Sequence, residues 1–125
     1  RPYSLTGRVI RGERIGRMLG FPTANLEIDN QHKLIPADGS YAVMTRIGHE
    51  THPGMLNIGM RPTVGGTKRT VEVNIFDFNR EIYGDSLQVS FIQRIRDEIP
   101  FNDVEALKAQ LKKDRDKAVK ILTKR

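Results

Sequence analysis

The residues best suited to chemistry lie in one stretch near the start of the chain, Gly12 to Asn25, with the sequence Gly-Glu-Arg-Ile-Gly-Arg-Met-Leu-Gly-Phe-Pro-Thr-Ala-Asn. Its glycines recur every fourth residue and let the backbone approach a ligand closely. Backbone N–H groups beside arginine side chains are typical of an anion site. The stretch ends with Thr23 and Asn25, whose hydroxyl and amide oxygens are hard ligands of the kind that Mg²⁺ prefers. The pattern indicates a phosphate and metal site on a loop that leads into a strand.

The same residue types also occur in ordinary exposed turns between strands. The stretch contains neither of the two common nucleotide motifs, the Gly-x-x-x-x-Gly-Lys-Ser/Thr loop and the Gly-x-Gly-x-x-Gly loop. If a strand begins at Ala24, Thr23 and Asn25 lie on the same face, because strand side chains alternate. From the residue types alone, both the phosphate site and the exposed turn stay open.

A candidate general base lies in the alternating stretch from Arg69 to Phe78. One predicted face carries Val71, Val73 and Ile75, and the other carries Glu72, Asn74 and Phe76. A strand glutamate usually faces solvent, whereas one beside a reacting hydroxyl can accept its proton. Glu72 is therefore the candidate base, and a solvent-facing glutamate is the ordinary alternative.

Two further motifs are rejected. The segment His49-Glu50-Thr51-His52 is one residue shorter than the zinc motif His-Glu-x-x-His, which also needs a helix, and this segment is predicted to be a turn between strands. The segment Gly65-Gly66-Thr67-Lys68 is similar to part of a phosphate-binding loop but lacks the first glycine and a following helix. We interpret it as a flexible loop of the kind that can close over substrate.

Six stretches are predicted to form strands, with hairpin-like spacing: 3–11, 26–28, 40–47, 51–58, 69–78 and 87–95. Gly7 is expected to mark a bulge or a close approach of two backbones. We expect an interruption at Pro53-Gly54, a long mobile connection over 59–68, and Gln93 on the same face as Leu87.

After Pro100 the apolar period changes to that of a helix, with a stripe formed by Val104, Leu107, Leu111, Ala118, Ile121 and Leu122. Asn102 is the predicted N-cap, and Glu105 completes a capping box. The strands and helix together predict a small closed or partly closed antiparallel barrel with one helix packed against it.

Length and composition limit the function classes. A chain of 125 residues fits a single domain, and the absence of cysteine excludes disulfides and thiolate metal sites. The absence of a long apolar run argues against a membrane span. The net charge of +6 favours anionic ligands, with nucleic acid and nucleotide phosphate as the two candidates.

The Gly-rich loop that ends in Pro22-Thr23-Ala24-Asn25 resembles the signature of the riboflavin kinase family. The resemblance continues in the family's order over nearly the whole chain, through Asn57-Ile58-Gly59, Arg61-Pro62-Thr63, Val71-Glu72-Val73, Tyr83-Gly84, Arg96 and Phe101. It implies a mainly β fold, a six-stranded antiparallel Greek-key β-barrel with a C-terminal helix. It also implies that residues 1–125 form one riboflavin kinase domain, similar to the kinase module of bacterial bifunctional riboflavin kinase/FAD synthetases.

The resemblance implies a role for individual residues. Glu72 is the implied catalytic base, and Thr23 and Asn25 are the implied Mg²⁺ ligands. Residues implied to contact the nucleotide are Gly12, Gly16, Arg17, Ile75, Asp77 and Tyr83, with Arg14 able to share the role of Arg17. Arg96 and Phe101 are implied to contact the flavin. Between them this chain has Ile99-Pro100, where relatives often carry a basic residue.

The implied reaction transfers the γ-phosphate of ATP to the 5′-hydroxyl of riboflavin and gives FMN and ADP, with Mg²⁺ as cofactor. The implied setting is cytoplasmic, without membrane or nucleic acid, and with an FMN adenylyltransferase module before this one in the full-length protein. The alternative function is a non-enzymatic basic β-barrel that binds nucleic acid. That alternative requires exposed aromatic residues for base stacking, and aromatics make up only 6% of the chain.

Overall fold

The structure is a computed structural model that describes residues 3–10, 23–28, 35–78, 80–101 and 103–123, with the backbone alone at 61–63. It contains six strands and one helix within these ranges. The elements are β1 (Tyr3–Ile10), β2 (Ala24–Glu27), β3 (Gly39–Ile47), β4 (Glu50–Thr63), β5 (Gly66–Ile75), β6 (Ser86–Arg96) and α1 (Val104–Thr123).

The strands close into a barrel in the order β1-β2-β5-β4-β3-β6, and each neighbouring pair is antiparallel. The predicted six-stranded antiparallel barrel is therefore confirmed. Closure pairs every strand on both sides, which removes the exposed edges that an open sheet of this size would present.

The inner face of the barrel holds the main apolar core. Alternate residues of each strand point inward, because the side-chain period of a strand is two. On β5, Val71, Val73 and Ile75 are buried in this core, as the alternation predicts. Leu56 and Ile58 of β4 meet them from the neighbouring strand and are almost fully buried.

The outer face is covered in part by α1. A second apolar cluster joins Ala118 of the helix to outward-facing barrel residues, namely Ala42, Met55, Phe76 and Ile95, with Leu111, Ile121 and Leu122 packed around them. The predicted helical stripe is thus correct for most of its members. Val104 is the exception, because it lies in the first turn and is exposed.

Asp103 is the residue that caps α1. Its Oδ1 accepts a hydrogen bond of 2.7 Å from the backbone N–H of Ala106, which is the bond that an N-cap makes to the third helical residue. The predicted cap, Asn102, lies outside the described residues. Among the described residues no helix combines the length and the apolar character that a membrane crossing requires.

Strand β4 continues through Pro53, so the predicted interruption there is wrong. The carbonyl of Pro53 accepts a hydrogen bond from Phe76 N, and the N–H and C=O of one strand residue point to the same side. The missing N–H of Pro53 therefore faces the side where β5 has already ended, at the pair Gly54–Ile75. A proline is tolerated there because no ladder bond is lost.

The expected long connection over 59–68 is also wrong. Residues on either side of Val64-Gly65 pair in register, from Gly59 with Thr70 to Thr63 with Gly66. Gly65 has φ 88°, a conformation that glycine adopts without steric strain. The segment that resembled part of a phosphate-binding loop is therefore the tight turn and first residues of a β-hairpin.

Strand β6 does not keep a strict alternation. Its pairing with β3 shifts twice, between Ser40 and Tyr41 and between Ala42 and Val43. Gln93 is consequently exposed rather than inward-facing, and Ile95 turns toward the helix. At Gly7, a close backbone approach is confirmed instead of a bulge, since an added Cβ would lie 2.5 Å from the carbonyl oxygen of Glu27.

Candidate active site

Five polar residues form a row across the outer face of the barrel, one on each of five adjacent strands. The strand register sets Asn25 opposite Glu72, Glu72 opposite Asn57, Asn57 opposite Ser40, and Ser40 opposite Arg96. Residues directly opposite one another in antiparallel strands share a face. We call these five residues the polar row; it is a consequence of register and is not visible in the sequence.

A cavity of about 500 Å³ lies over four members of the polar row, between the barrel and α1. Its other walls come from the segment between β6 and the helix, from the helix itself and from residues next to the row. The lining residues are Thr23, Asp38, Ser40, Met55, Leu56, Asn57, Met60, Glu72, Asn74, Arg96, Glu98, Ile99, Pro100, Phe101, Leu107, Leu111 and Asp114. A cavity of this size and mixed polarity is typical of small-molecule sites.

Four residues that the sequence singled out for different tasks come together in this cavity. Thr23, Glu72, Arg96 and Phe101 all contribute to its lining. Asn25 lies beside them in the polar row, opposite Glu72. The candidate base, the candidate metal ligands and the candidate flavin contacts thus belong to one neighbourhood, although they are far apart along the chain.

The remaining sequence candidates lie elsewhere. Ile75 is 8% exposed and belongs to the inner core, while Asp77 and Tyr83 are exposed. None of these three lines the cavity among the described residues. Asp77 has φ 53°, and its carboxylate lies 3.4 Å from Arg115 of α1.

Tyr83 belongs to a turn that is hydrogen-bonded to the end of β1. Gly84 N donates to the Val9 carbonyl at 2.7 Å, and Val9 N donates to the Asp85 carbonyl at 2.9 Å. Strand β1 leads in sequence into the Gly-rich stretch. The candidates Gly12, Gly16 and Arg17, together with Arg14, lie outside the described residues.

The donor set beside Glu72 suits a hard cation. The Oδ1 atom of Asn25 is buried and has no hydrogen-bond partner among the described residues. An unsatisfied buried oxygen is costly, and a bound cation would satisfy it. The described residues contain no cluster of three or more His, Cys, Asp or Glu side chains able to hold a metal ion. A metal held by Thr23 and Asn25 would therefore need further oxygen ligands from a bound phosphate or water, as Mg²⁺ commonly has.

The cavity is acidic although the chain is basic. Its lining includes the carboxylates of Asp38, Glu72, Glu98 and Asp114, and Arg96 is the basic residue among the described lining. Arg96 is paired with Asp114 at 2.8 Å. A bare polyanion would be repelled here, whereas a neutral ligand or a metal-bound phosphate would not.

One wall of the cavity is held by two arginines. Arg69 Nε donates to Asp38 Oδ1 at 2.9 Å, and Arg94 donates to the backbone carbonyl of Asp38. Hydrogen bonds with Tyr41 and then with Asp97 raise the pKa of Arg94 above its usual value. The segment that precedes β3 is thereby fixed at the edge of the cavity.

The sequence reasoning missed the other polar residues of the cavity. Ser40 Oγ donates to Asn57 Oδ1 at 2.9 Å, and Asn57 Nδ2 lies 3.4 Å from Glu98 Oε2. The bond from Ser40 orients the amide of Asn57, with its NH₂ group directed toward Glu98. The only sequence signal for Asn57 was its place in the Asn-Ile-Gly segment, to which no role had been given.

Fold and cavity together define a class: a small closed β-barrel whose candidate ligand site lies on its outer face, beneath a C-terminal helix. The sequence profile described as "Flavokinase: Riboflavin kinase" matches residues 1–122. The chain belongs to the riboflavin kinase family.

A curated relative supports this assignment, and two solved structures share the fold. The bifunctional riboflavin kinase/FMN adenylyltransferase of Bacillus subtilis (strain 168) is 39% identical over 122 residues, which cover 95% of this chain and 38% of the relative. A Streptococcus pneumoniae structure titled as a macrolide-efflux protein has a TM-score of 0.84 at 40% identity, over 92% of this chain and 38% of that one. The riboflavin kinase of Trypanosoma brucei shares the fold, with a TM-score of 0.66 at 24% identity over 99% of this chain and 82% of that one. This chain therefore spans well under half the length of the curated relative.

Proposed function

We propose that this chain is an ATP:riboflavin 5′-phosphotransferase, which transfers the γ-phosphate of ATP to the 5′-hydroxyl of riboflavin and gives FMN and ADP. The observation that carries the proposal is the shared cavity of Glu72, Thr23, Arg96 and Phe101. Membership of the riboflavin kinase family supports the choice of substrates.

Glu72 is the proposed general base. It lies in the polar row between Asn25 and Asn57, and lines the cavity from a barrel strand that is paired on both sides. In the reaction it accepts the proton of the 5′-hydroxyl as that oxygen bonds to the γ-phosphorus and the bond from phosphorus to the β-phosphate oxygen breaks. A positioned base contributes roughly 10²- to 10⁴-fold to such a step.

Thr23 and Asn25 are the proposed protein ligands of Mg²⁺. The buried Oδ1 of Asn25, which has no hydrogen-bond partner in the part of the chain that the structure describes, supports this assignment. When bound, the cation supplies charge neutralisation at the phosphates, which is the main requirement of phosphoryl transfer. Because both protein ligands are neutral, the anionic oxygens would come from the nucleotide.

The nucleotide is proposed to lie toward the end of β1 and the stretch that follows it. Gly12, Gly16 and Arg17 are the proposed phosphate contacts, and Tyr83 and Asp77 the proposed contacts to the rest of the nucleotide. The hydrogen bonds between the Tyr83–Asp85 turn and Val9 support a location of Tyr83 beside the end of β1. A nucleotide contact by Ile75 would have to be made through its backbone or its small exposed fraction, because its side chain is buried.

The flavin is proposed to occupy the part of the cavity beneath α1. Arg96 and Phe101 are its proposed contacts, and the guanidinium carbon of Arg96 lies 5.8 Å from the centre of the Phe101 ring. Apolar side chains of Leu107 and Leu111 line the same region. A flat, largely apolar ring system with a few hydrogen-bonding atoms suits such a wall.

The nucleic-acid alternative receives less support from the cavity. Its acidic lining is unfavourable for a polyanion, and the aromatic residue that lines it, Phe101, is half-buried rather than displayed on a strand face. Binding of an oligonucleotide that weakens steeply with salt would favour that alternative.

The B. subtilis relative is named for a second activity, FMN adenylyltransferase, and we propose that such a module precedes this one in the full-length protein. We further propose a cytoplasmic setting, on the basis of the family resemblance.

The direct experiment measures FMN formation from riboflavin, ATP and Mg²⁺ by the parent and by Glu72→Gln. We expect the parent to form FMN and the variant to lose roughly 10²-fold or more in rate with its fold intact. Glu81→Gln is the matched control, because Glu81 is exposed and does not line the cavity. Equal rates for the parent and Glu72→Gln would move the base elsewhere, and a folded parent that forms no FMN would overturn the proposed activity.

A further inference from the structure

The carboxylate of Asp114 is buried in the middle of α1, and the proposed chemistry does not use it. The residue is 2% exposed and sits on the helix face that packs against the barrel, where the next buried helical position is Ala118. A buried carboxylate is costly unless it is paired and hydrogen-bonded. An apolar residue would pack at this position without that cost, so the charge calls for an explanation.

Asp114 pairs with the proposed flavin residue, Arg96. Arg96 Nε donates to Oδ1 and Oδ2 of Asp114 at 2.9 and 3.0 Å, and Nη2 donates to Oδ2 at 2.8 Å. Gln110, one helical turn earlier, donates from Nε2 to Asp114 Oδ1 at 2.9 Å. The carboxylate is thus held from the helix side by Gln110 while it holds the arginine on the barrel side.

The orientation of the Arg96 guanidinium is fixed by these contacts. Asp114 occupies one edge of the planar group, and Nη1 donates to the Asp97 carbonyl at 3.0 Å. A bidentate carboxylate pair together with a hydrogen bond to a backbone carbonyl restricts the orientation of an arginine side chain far more than a single ion pair does. The guanidinium carbon lies over the Phe101 ring, 5.8 Å from its centre. Arg96 is consequently a fixed, flat part of the cavity wall.

The pairing also decides what kind of ligand this wall suits. The charge of Arg96 is already neutralised by Asp114, so a phosphate group would have to compete with a buried carboxylate. A planar, uncharged ring system that carries carbonyl acceptors would not, because it can stack on or accept from a guanidinium whose ion pair stays intact.

We propose that Asp114, supported by Gln110, is a positioning residue that sets Arg96 for the ring system of riboflavin, and that α1 is thereby part of the flavin site. The identity of the ligand rests on the proposed function. The action of Asp114 on ligand affinity through Arg96 is inferred from the hydrogen bonds that join Arg96, Asp114 and Gln110.

A purely structural role makes a different prediction. Buried ion pairs contribute little net stability compared with a well-packed apolar pair, although removal of one partner is destabilising. If Asp114 only ties the helix to the barrel, its loss should lower the melting temperature without a selective effect on one substrate. If it positions Arg96, riboflavin affinity should fall while nucleotide affinity is retained.

The first experiment titrates riboflavin without ATP or Mg²⁺, by quenching of flavin fluorescence, for the parent and Asp114→Asn. It is combined with KM values for riboflavin and for ATP. We expect Asp114→Asn to weaken riboflavin binding by about tenfold, as loss of a charged hydrogen bond would, with the KM for ATP within about twofold. Asp116→Asn, on an exposed position of the same helix, should match the parent. A folded Asp114→Asn with parental riboflavin affinity, or with equal losses for both substrates, would overturn the inference.

A second set of variants keeps the inference testable if Asp114→Asn fails to fold. The apolar pair Arg96→Met/Asp114→Leu removes both charges together, a change that often preserves stability, and it should fold but bind riboflavin weakly. In the Arg96→Met background, Asp114→Leu should therefore have no further effect on affinity. A further loss of affinity from Asp114→Leu in that background, or parental affinity in the apolar pair, would contradict an action through Arg96.

Measurements of riboflavin binding and of FMN formation distinguish the proposed kinase activity from the proposed role of Asp114. A parent that binds riboflavin but forms no FMN would sink the proposed activity and leave the role of Asp114 in place. A parent that forms FMN while Asp114→Asn binds riboflavin normally would leave the activity and remove the role of Asp114. A parent that does not bind riboflavin would overturn the inference.

Discussion

The inner and outer faces of the same strands are built for different purposes. On β5, the inward residues Val71 and Val73 are almost fully buried in an apolar core, whereas the outward Glu72 lines the candidate site. On β4, Leu56 and Ile58 point inward, and Asn57 between them points outward. Adjacent residues of one strand therefore have different roles: one packs in the barrel core, and the next faces the candidate ligand site.

This difference shows how a small domain can carry a polar site with little loss of folding stability. The inner face buries mainly apolar side chains, and the barrel is therefore stabilised largely independently of the site. The outer face then carries the polar row on strands that are already fixed by pairing on both sides. The two faces should therefore respond differently to mutation: inner changes should affect stability, and outer changes should affect activity.

The largest expected effect is on the inner face. Ile58 is 0% exposed and does not line the cavity, and truncation of a buried isoleucine to alanine costs about 2–5 kcal/mol because of lost burial and the remaining cavity. We expect Ile58→Ala to lower the free energy of unfolding by that amount, measured by urea denaturation. Activity per folded molecule should stay within a few fold, and a selective loss of activity without loss of stability would break the division between the faces.

The next effect is on the outer face at the proposed metal site. Asn25→Ala and Thr23→Ala should weaken the use of Mg-nucleotide, by about tenfold or more in apparent Mg²⁺ affinity, since even residues that only support metal ligands commonly contribute 10–100-fold. The measurement is the Mg²⁺ dependence of FMN formation, with thermal melting as the control for the fold. Unchanged Mg²⁺ dependence in both variants would remove these residues from the metal site.

A smaller effect is expected at Asn57, which belongs to the polar row and, like Ser40, has no role in the sequence analysis. Asn57→Ala removes the bond from Ser40 Oγ and the contact to Glu98, and loss of one such bond changes stability by about 1 kcal/mol. Because Asn57 lies opposite Glu72, we expect the rate of FMN formation to fall more than the stability does. Ser40→Ala tests the orientation of the amide, and it should shift the rate in the same direction but less.

The inner face was largely predictable from sequence because its determinants are local. The alternation of Val71, Val73 and Ile75 and the helical period after Pro100 predict the strand and the helix without any knowledge of partners. Errors arose where a neighbouring strand decided the outcome. Pro53 is tolerated inside β4 because β5 ends beside it, and the Gly-rich segment at 65–66 forms a tight turn because its flanks pair with each other.

The outer face was predictable only in part. Glu72, Thr23 and Arg96 could be named from the family resemblance, but their meeting in one cavity depends on register across several strands. Asp114 could not be found in this way, because an aspartate on a lysine-rich helix has the appearance of a solvated surface residue. Its burial follows from the packing of α1 on the barrel, which involves residues distant in sequence.

The smallest expected effect lies away from both faces, at the exposed start of β4. The hydrogen bond from Arg80, with a lesser contribution from His52, holds the pKa of Glu50 below its usual value of 4.5. A carboxyl group whose pKa is lowered by folding stabilises the folded state above its unfolded pKa, and this contribution is lost as the pH falls through the folded pKa. Because the pair is exposed, solvent screens it and Glu50→Gln should lower the melting temperature only slightly at neutral pH. The difference from the parent should vanish in strong acid, where the parent's Glu50 is also uncharged. A difference in melting temperature that persists in strong acid would mean that Glu50 acts through packing rather than charge. A large difference at neutral pH would show that exposed ion pairs contribute substantially to the stability of this barrel, in addition to its inner core.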